Sequence, residues 1–224
     1  MNAVFVSDLH LPYEHPDALD FVLALQETYE PEHTIQIGDF VDLHQQSFHD
    51  KHPECLGARA EFDAAREKAE AWAPIIDVVT EGNHCMRPQK VAKKFGLLPE
   101  MLVDKGTLWG VPFVSEFWLT LDDKTRVLCR HGDSGFPRHG TAARRFTHHT
   151  CTGHHHVLGG VQHYTLMDGT RRWMASGGAL IDPTSPAFAY TPHKPVLGAV
   201  VIWDDTPLYE PMKLDKHGRW TGKL

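Results

Sequence analysis

Short apolar runs alternate with amphipathic stretches over the first third of the chain. Ala3–Val6, His33–Ile37 and residues 75–80 are apolar runs typical of buried strands. Between them, residues 17–29 and Ala58–Trp72 repeat apolar side chains at helical spacing. This order of strands and helices is typical of a parallel sheet with right-handed crossovers. Polar residues follow each strand, and we expect them to converge at the carboxyl edge of the sheet.

The second half of the chain has the pattern of hairpins. Residues 111–121 and Arg126–Arg130 flank a polar turn, and residues 161–167 and 171–175 flank Asp168-Gly169. A further strand is expected at 197–203, an edge ribbon at 207–220, and a proline-rich loop at 182–195, near the mouth of a site. We therefore predict an α/β fold, a four-layer αββα sandwich. Two mixed sheets pack face to face with flanking helices, in one domain spanning 1–224.

Composition adds two features to this picture. The 224-residue chain has a formal charge of −7, which gives no general attraction to nucleic acid or to an anionic membrane. It also holds 17 histidines, far more than chance predicts, and they lie inside the chain. The four cysteines form no CxxC pair, and neither a signal peptide nor a membrane span is visible. We expect reduced thiols, a cytoplasmic location and no membrane partner; the oligomeric state stays open.

Five short motifs supply a mixed set of nitrogen and oxygen donors. Such a set suits manganese, iron, zinc, nickel or cobalt better than calcium, which prefers oxygen alone. On an extended chain, residues i and i+2 point the same way, so Asp8 with His10, and His154 with His156, could each grip one centre. The motifs are Asp8-Leu9-His10, Gly38-Asp39-Phe40-Val41-Asp42, Gly82-Asn83-His84, His131-Gly132 and Gly153-His154-His155-His156.

The order of these motifs resembles that of the calcineurin-like metallophosphoesterases, whose pattern is DxH, GDxxD, GNH, H and GHxH. Each motif alone is weak evidence, because a strand-end acid often caps a turn and a lone histidine is often a core residue. All five in order make those separate explanations improbable. The match runs from Asp8 to His156, and the remaining residues fit the family's second sheet.

The resemblance implies a dinuclear centre. Two divalent ions are expected, with manganese preferred and iron, zinc, nickel, cobalt or magnesium as alternatives. Asp39 would bridge both ions, since a carboxylate has two oxygens to share, and a bridging hydroxide would attack the phosphorus. The ligands of one ion would be Asp8, His10 and His156, and those of the other Asn83, His131 and His154.

The resemblance also implies two catalytic residues that bind no metal. His84 would act as general acid on the leaving oxygen or stabilise its developing charge. Asp42 would accept a hydrogen bond from His84 and fix its tautomer. Family members often continue GNH with an acid, whereas Cys85 stands here, either as a small buried residue or as an oxidation-sensitive thiol.

Several arginines near the motifs could meet an anionic substrate. Arg87 follows the third motif, and Arg138, Arg144 and Arg145 lie between the fourth and fifth. Solvated surface charge explains them equally well. The leading prediction is a dinuclear-metal phosphodiesterase or phosphomonoesterase acting on phosphate esters. The alternatives are a nuclease acting on DNA or RNA, a non-catalytic metal-binding scaffold, and a metal store or sensor.

Overall fold

Parallel strands form the centre of the first of two sheets in the computed structural model, which describes residues 1–48, 50–132, 148–188 and 193–224. The strands of this sheet are β1 (Ala3–Val6), β2 (His33–Ile37), β3 (Val78–Thr80), β4 (Phe113–Val114), β10 (Gly198–Trp203) and β11 (Thr206–Pro211). Their order is β11-β10-β1-β2-β3-β4, with β1 to β4 parallel and β10 and β11 antiparallel. The sheet is therefore mixed, and the predicted strand–helix alternation accounts for its parallel part.

The second sheet is also mixed. Its strands are β5 (Phe117–Thr120), β6 (Arg126–Arg130), β7 (His149–Thr152), β8 (Gly159–Thr165) and β9 (Arg171–Gly177), in the order β5-β6-β7-β9-β8. The two predicted hairpins are present as β5–β6 and β8–β9. Between them, β7 pairs in parallel with β6 and with β9. The strand predicted at 111–121 is wrong as one unit, because it divides between β4 in the first sheet and β5 in the second.

Side-chain alternation along the strands of the first sheet serves two cores. Phe5 and Ile35 face Val127 and Trp173 of the second sheet, and these side chains form part of the core between the two sheets. Val4 and Val6 alternate with them and pack under the helices. This period of two is what a strand covered on both faces requires. Two mixed sheets with flanking helices confirm the predicted fold class.

Within the described residues, four α-helices connect the strands: α1 (Ala18–Tyr29), α2 (Ala58–Trp72), α3 (Arg87–Lys94) and α4 (Lys105–Trp109). Phe21 and Leu25 of α1 and Ala69 and Trp72 of α2 pack against the first sheet, as their helical spacing predicts. None of the helices in the described ranges is both long and apolar enough to cross a lipid bilayer.

Candidate metal centre

The predicted ligands converge at one edge of the two sheets. Asp8, Asp39 and Asn83 follow β1, β2 and β3, while His131 and His154 follow β6 and β7. All five strands belong to parallel pairs, so their carboxyl ends meet at the same edge. The fold thereby gathers side chains that are more than 140 positions apart in the chain.

One group of donors is formed by Asp8, His10 and His156. Oδ1 of Asp8 lies 3.1 Å from Nε2 of His156 and 3.6 Å from Nε2 of His10. The two imidazole nitrogens are 3.2 Å apart. These atoms all lie within 4.8 Å of one another, as the ligands of a single cation must.

A second group is formed by Asn83, His131 and His154. Oδ1 of Asn83 lies 3.2 Å from Nε2 of His131 and 2.9 Å from Nδ1 of His154. Both sets match the two ligand groups that the family resemblance implies.

Asp39 lies between the two groups. Its Oδ2 is 3.2 Å from Nε2 of His131 in the second group and 3.8 Å from Nε2 of His10 in the first. Its other oxygen, Oδ1, accepts a hydrogen bond of 2.7 Å from the backbone N–H of His84. One oxygen therefore faces both groups, whereas the sequence prediction shared two oxygens between them.

The buried histidines are oriented by hydrogen bonds from their second nitrogen. Nδ1 of His10 lies 2.7 Å from Oδ1 of Asp42, and Nδ1 of His131 lies 2.9 Å from the carbonyl oxygen of Ile37. Both partners are acceptors, so each Nδ1 carries a proton and each Nε2 faces the centre. A metal ion bound there would replace the second proton, on Nε2, and would find each ring already in the required orientation.

His84 lies close enough to His10 and Asp39 for the three to hold an ion as well, and Arg87 lies next to His84. Nδ1 of His84 faces two acceptors of Asp42, Oδ1 at 2.8 Å and the carbonyl oxygen at 3.1 Å, so this nitrogen is protonated. Nη2 of Arg87 is 3.2 Å from Nε2 of His84, and Nη1 donates to the carbonyl oxygen of Asp42 at 2.6 Å. The predicted His84–Asp42 contact is present, and Arg87 is the one predicted substrate arginine within the described residues. Arg138, Arg144 and Arg145 lie outside them.

The electrostatics of the centre favour added positive charge. Burial alone would raise the pKa of the Asp8 carboxyl, but the imidazoles of His131, His156 and His10 hold it well below its usual range. Burial would likewise lower the pKa of His10, yet Asp42 and Asp8 raise it to about 10. For His131, Asp39 and Asp8 outweigh burial and raise the pKa to about 9. Buried carboxylates thus stabilise a cation among them.

The donor set fits divalent metal ions. Three groups of three donors overlap: Asp8, His10 and His156; His10, Asp39 and His84; and Asp39, His131 and His154, with the Asn83 amide beside the last. Mixed nitrogen and oxygen sets suit the first-row transition metals. The overlap at His10 and Asp39 leaves the groups adjacent, which a pair of neighbouring ions requires.

Several ligand residues have a left-handed backbone conformation, and this conformation, not an extended chain, sets the direction of their side chains. Asp8, His10 and Asp39 have φ values of 54°, 51° and 50°, and His154 has a φ of 73°. Such conformations are uncommon outside glycine and concentrate at functional sites. The spacing argument that His154 and His156 grip the same ion is wrong, because the two residues belong to different donor groups, as the family resemblance implies.

Two glycines allow ligand carboxylates to approach the backbone closely. A Cβ on Gly82 would lie 2.0 Å from Oδ1 of Asp39, and a Cβ on Gly153 would lie 2.7 Å from Oδ2 of Asp8. Both distances are below any ordinary contact, so a larger residue would displace a carboxylate. Close approach to a carboxylate therefore accounts for the glycine in the third and fifth motifs.

Two supporting residues were missed by the sequence reasoning. Glu61 was assigned to the charged face of its helix, yet it is 2% exposed and accepts from the backbone N–H groups of His44 and Gln45. His44 was left without a role, and its Nδ1 lies 3.6 Å from Oδ2 of Asp42. The sequence did carry a signal for Glu61, because this charged residue stands directly before Phe62, which belongs to the apolar face of the helix.

Cys85 belongs to the hydrophobic core under the helices, and its side chain is buried. Burial, with Asp39 adding to it, raises the pKa of its thiol to about 11. Its place in the core supports the simpler of the two interpretations, a small buried residue. All four cysteines are free thiols.

Comparisons with known proteins agree with this geometry. A family model described as calcineurin-like phosphoesterase matches residues 1–208. No curated protein sequence matches the chain.

Solved structures show the same fold at low sequence identity. A metallophosphoesterase from Sphaerobacter thermophilus aligns with a TM-score of 0.50 at 15% identity, covering 95% of this chain and 88% of its own. Vps29 from Chaetomium thermophilum aligns with a TM-score of 0.52 at 11% identity, covering 98% and 92%. At these identities the likeness shows the fold alone.

Proposed function

Because this chain belongs to the calcineurin-like phosphoesterase family, we propose that it hydrolyses phosphate esters with two adjacent divalent metal ions. One observation carries the proposal: Oδ2 of Asp39 faces His131 at 3.2 Å and His10 at 3.8 Å, between two groups of donors. A carboxylate oxygen in that position can serve two ions.

The ligand groups divide between the ions in our proposal. Asp8, His10 and His156 would hold one ion, Asn83, His131 and His154 would hold the other, and Asp39 would contribute to both. Bound divalent ions, of which we favour manganese, would supply Lewis-acid chemistry, lowering the pKa of a water and neutralising charge on phosphoryl oxygens. The chain's part is to hold these donors in place before substrate arrives.

Arg87 and His84 act on the substrate in our proposal. Arg87 donates two hydrogen bonds at the edge of the centre, where its guanidinium can meet a phosphoryl oxygen. When substrate draws Arg87 onto the phosphoryl group, Nε2 of His84 loses that hydrogen bond, can take up a proton from solvent, and can donate this proton to the leaving oxygen. Asp42 keeps the proton on Nδ1 and so fixes the direction of the ring.

A non-catalytic scaffold is the weaker interpretation. All seven predicted ligands lie at one centre, together with His84 and Arg87. A degraded site would have lost some of these donors. The completeness of the set supports an enzyme.

Activity of the manganese-loaded protein tests the proposal. The substrates are p-nitrophenyl phosphate, its bis ester, cyclic nucleotides and oligonucleotides, so that monoesterase, diesterase and nuclease activity are separated. We expect hydrolysis of at least one class. Asp39→Ala should lose bound metal and turnover together, whereas His84→Ala should keep its metal and lose about 10²–10⁴-fold in kcat.

His217→Ala is the matched control, because this histidine is exposed and lies outside the donor groups. It should keep both metal and turnover. A metal-loaded wild type that cleaves none of the substrates would contradict the proposal, and an unimpaired His84→Ala would remove His84 from the mechanism.

A further inference from the structure

A cavity of about 150 Å³ opens beside the metal centre, on the side of His156. Most of its surface is apolar. The walls come from the end of the fifth motif with the residue after it, and from described residues between 181 and 195. Apolar residues Val157, Ile181, Pro183, Phe188 and Pro195 line it together with the polar His156, His193 and Lys194.

The cavity and the metal centre share a wall. His156 lines the cavity, and its Nε2 lies 3.1 Å from Oδ1 of Asp8 in the first donor group. The ring of Phe188 lies edge-on to the rings of His10 and His156, with centroids 5.3 Å and 6.2 Å away. The cavity therefore borders the centre at His156, on the side to which a group attached to a phosphate at the centre could extend.

The walls are held in place by the rest of the fold. Ile181 and Phe188 are buried and belong to a small core cluster with Ala179 and Ala187. The backbone N–H of Val196 donates to the carbonyl oxygen of His156 at 2.7 Å, which ties the loop to the fifth motif. The N–H of Leu180 donates to the carbonyl oxygen of Asp8 at 3.1 Å. These contacts fix Ile181, Phe188 and His156 relative to the metal centre.

We propose that this cavity binds a six-membered aromatic ring carried by the phosphate ester, so that the preferred substrates are esters of ring-bearing alcohols. The inference rests on the proposed function and names its substrate class. Cavities of about 150 Å³ lined by aliphatic and aromatic side chains are large enough for benzene. Phe188 offers an aromatic wall for ring packing, and none of the lining residues that the structure describes is acidic.

Binding of non-hydrolysable phosphonates tests this inference without relying on turnover. Benzylphosphonate and methylphosphonate share the phosphonate group and differ by the ring. We expect calorimetry on the manganese-loaded protein to give about tenfold tighter binding of benzylphosphonate, since burying part of an aromatic ring contributes this much. Equal affinity for the two phosphonates would overturn the inference.

Two variants locate the effect in the cavity. Val157→Asp places a carboxylate on the lining, and Phe188→Leu removes the aromatic wall while keeping an apolar side chain there. Each should lower the benzyl-to-methyl affinity ratio, with Val157→Asp bringing it to about one. Val103→Asp is the matched control, because Val103 is an exposed valine outside the cavity lining. A ratio that stays at the wild-type value in both cavity variants contradicts the assignment.

The two proposals fail in different ways. A wild type that hydrolyses small esters but shows no preference for the benzyl group refutes the ring site alone. A wild type that neither hydrolyses an ester nor binds a phosphonate refutes both. A nucleoside 5′-phosphonate separates the two sources of a ring: tighter binding than benzylphosphonate indicates a nucleobase, weaker binding a simple aryl group, and both support a ring site.

Discussion

The histidines of the centre fall into two pairs that differ in burial. His10 and His131 are 0% and 3% exposed, and an acceptor holds the second nitrogen of each ring. His154 and His156 lie on the fifth motif, are partly exposed, and face the ligands Asn83 and Asp8. The buried pair is part of the folded core, so its geometry is fixed by folding. The partly exposed pair completes the centre from one side.

Gly82→Ala should have the largest effect, because it acts on Asp39, the residue that both pairs share. The added Cβ would lie 2.0 Å from the Asp39 carboxylate. We expect bound manganese and turnover to fall by more than about 100-fold, beyond the range for changes that only support a ligand. Metal analysis and ester hydrolysis measure the two losses.

Gly57→Ala is the control for this substitution, because a Cβ on Gly57 meets nothing within 4 Å. It should retain metal and activity. If Gly82→Ala also retains them, the close approach of Gly82 to Asp39 does not shape the centre.

Removing one histidine from each pair should lower the free energy of unfolding by different amounts. In metal-free protein, His10→Ala deprives the buried Asp8 and Asp42 carboxylates of their partner and should lower the free energy of unfolding by about 3 kcal/mol. His156→Ala also removes a partner of Asp8, but His156 is 23% exposed, so water can replace it and the loss should be smaller, about 1–2 kcal/mol. Urea denaturation measures both, and equal losses would show that burial does not separate the pairs.

The sequence predicted the elements better than it predicted how ligands are aimed. β1, β2 and α2 have the bounds expected from their apolar patterns, since each is buried along a regular face. The strand expected at 111–121 divides between two sheets, a choice made by packing partners that periodicity does not encode. Motif order named every member of the two donor groups.

What local spacing missed in the centre was set by tertiary contacts. Asp42 was predicted to orient His84, and it also holds His10 at 2.7 Å, a contact across 32 positions. The separation of His154 from His156 depends on a left-handed residue in a short motif. That the chain forms a single domain, and that these residues act as assigned, stay predictions.

Asp42→Asn should weaken the orientation of the His10 ring and so reduce the difference between this histidine and the partly exposed ones. The amide keeps the shape of the side chain but removes the charge that supports the rings of His10 and His84. We expect manganese affinity to fall about 10–100-fold, the usual cost of losing such a partner. Calorimetric titration with manganese measures it, and an unchanged affinity would show that the orientation of His10 does not depend on this carboxylate.

The smallest effect is expected from alkylation of the cysteines, whose side chains differ in burial as those of the histidines do. Cys85, Cys129 and Cys151 are buried, and burial raises the pKa of each thiol, to about 11 for Cys85. Cys55 is the partly exposed one. Because alkylation requires an accessible thiolate, iodoacetamide should modify the folded protein at Cys55 alone, with a smaller effect on turnover than any substitution above. Mass spectrometry counts the adducts. The urea-unfolded chain, which should be modified at four sites, is the control. Rapid labelling of Cys85 in the folded protein would mean that the core beside Asn83 opens to solvent.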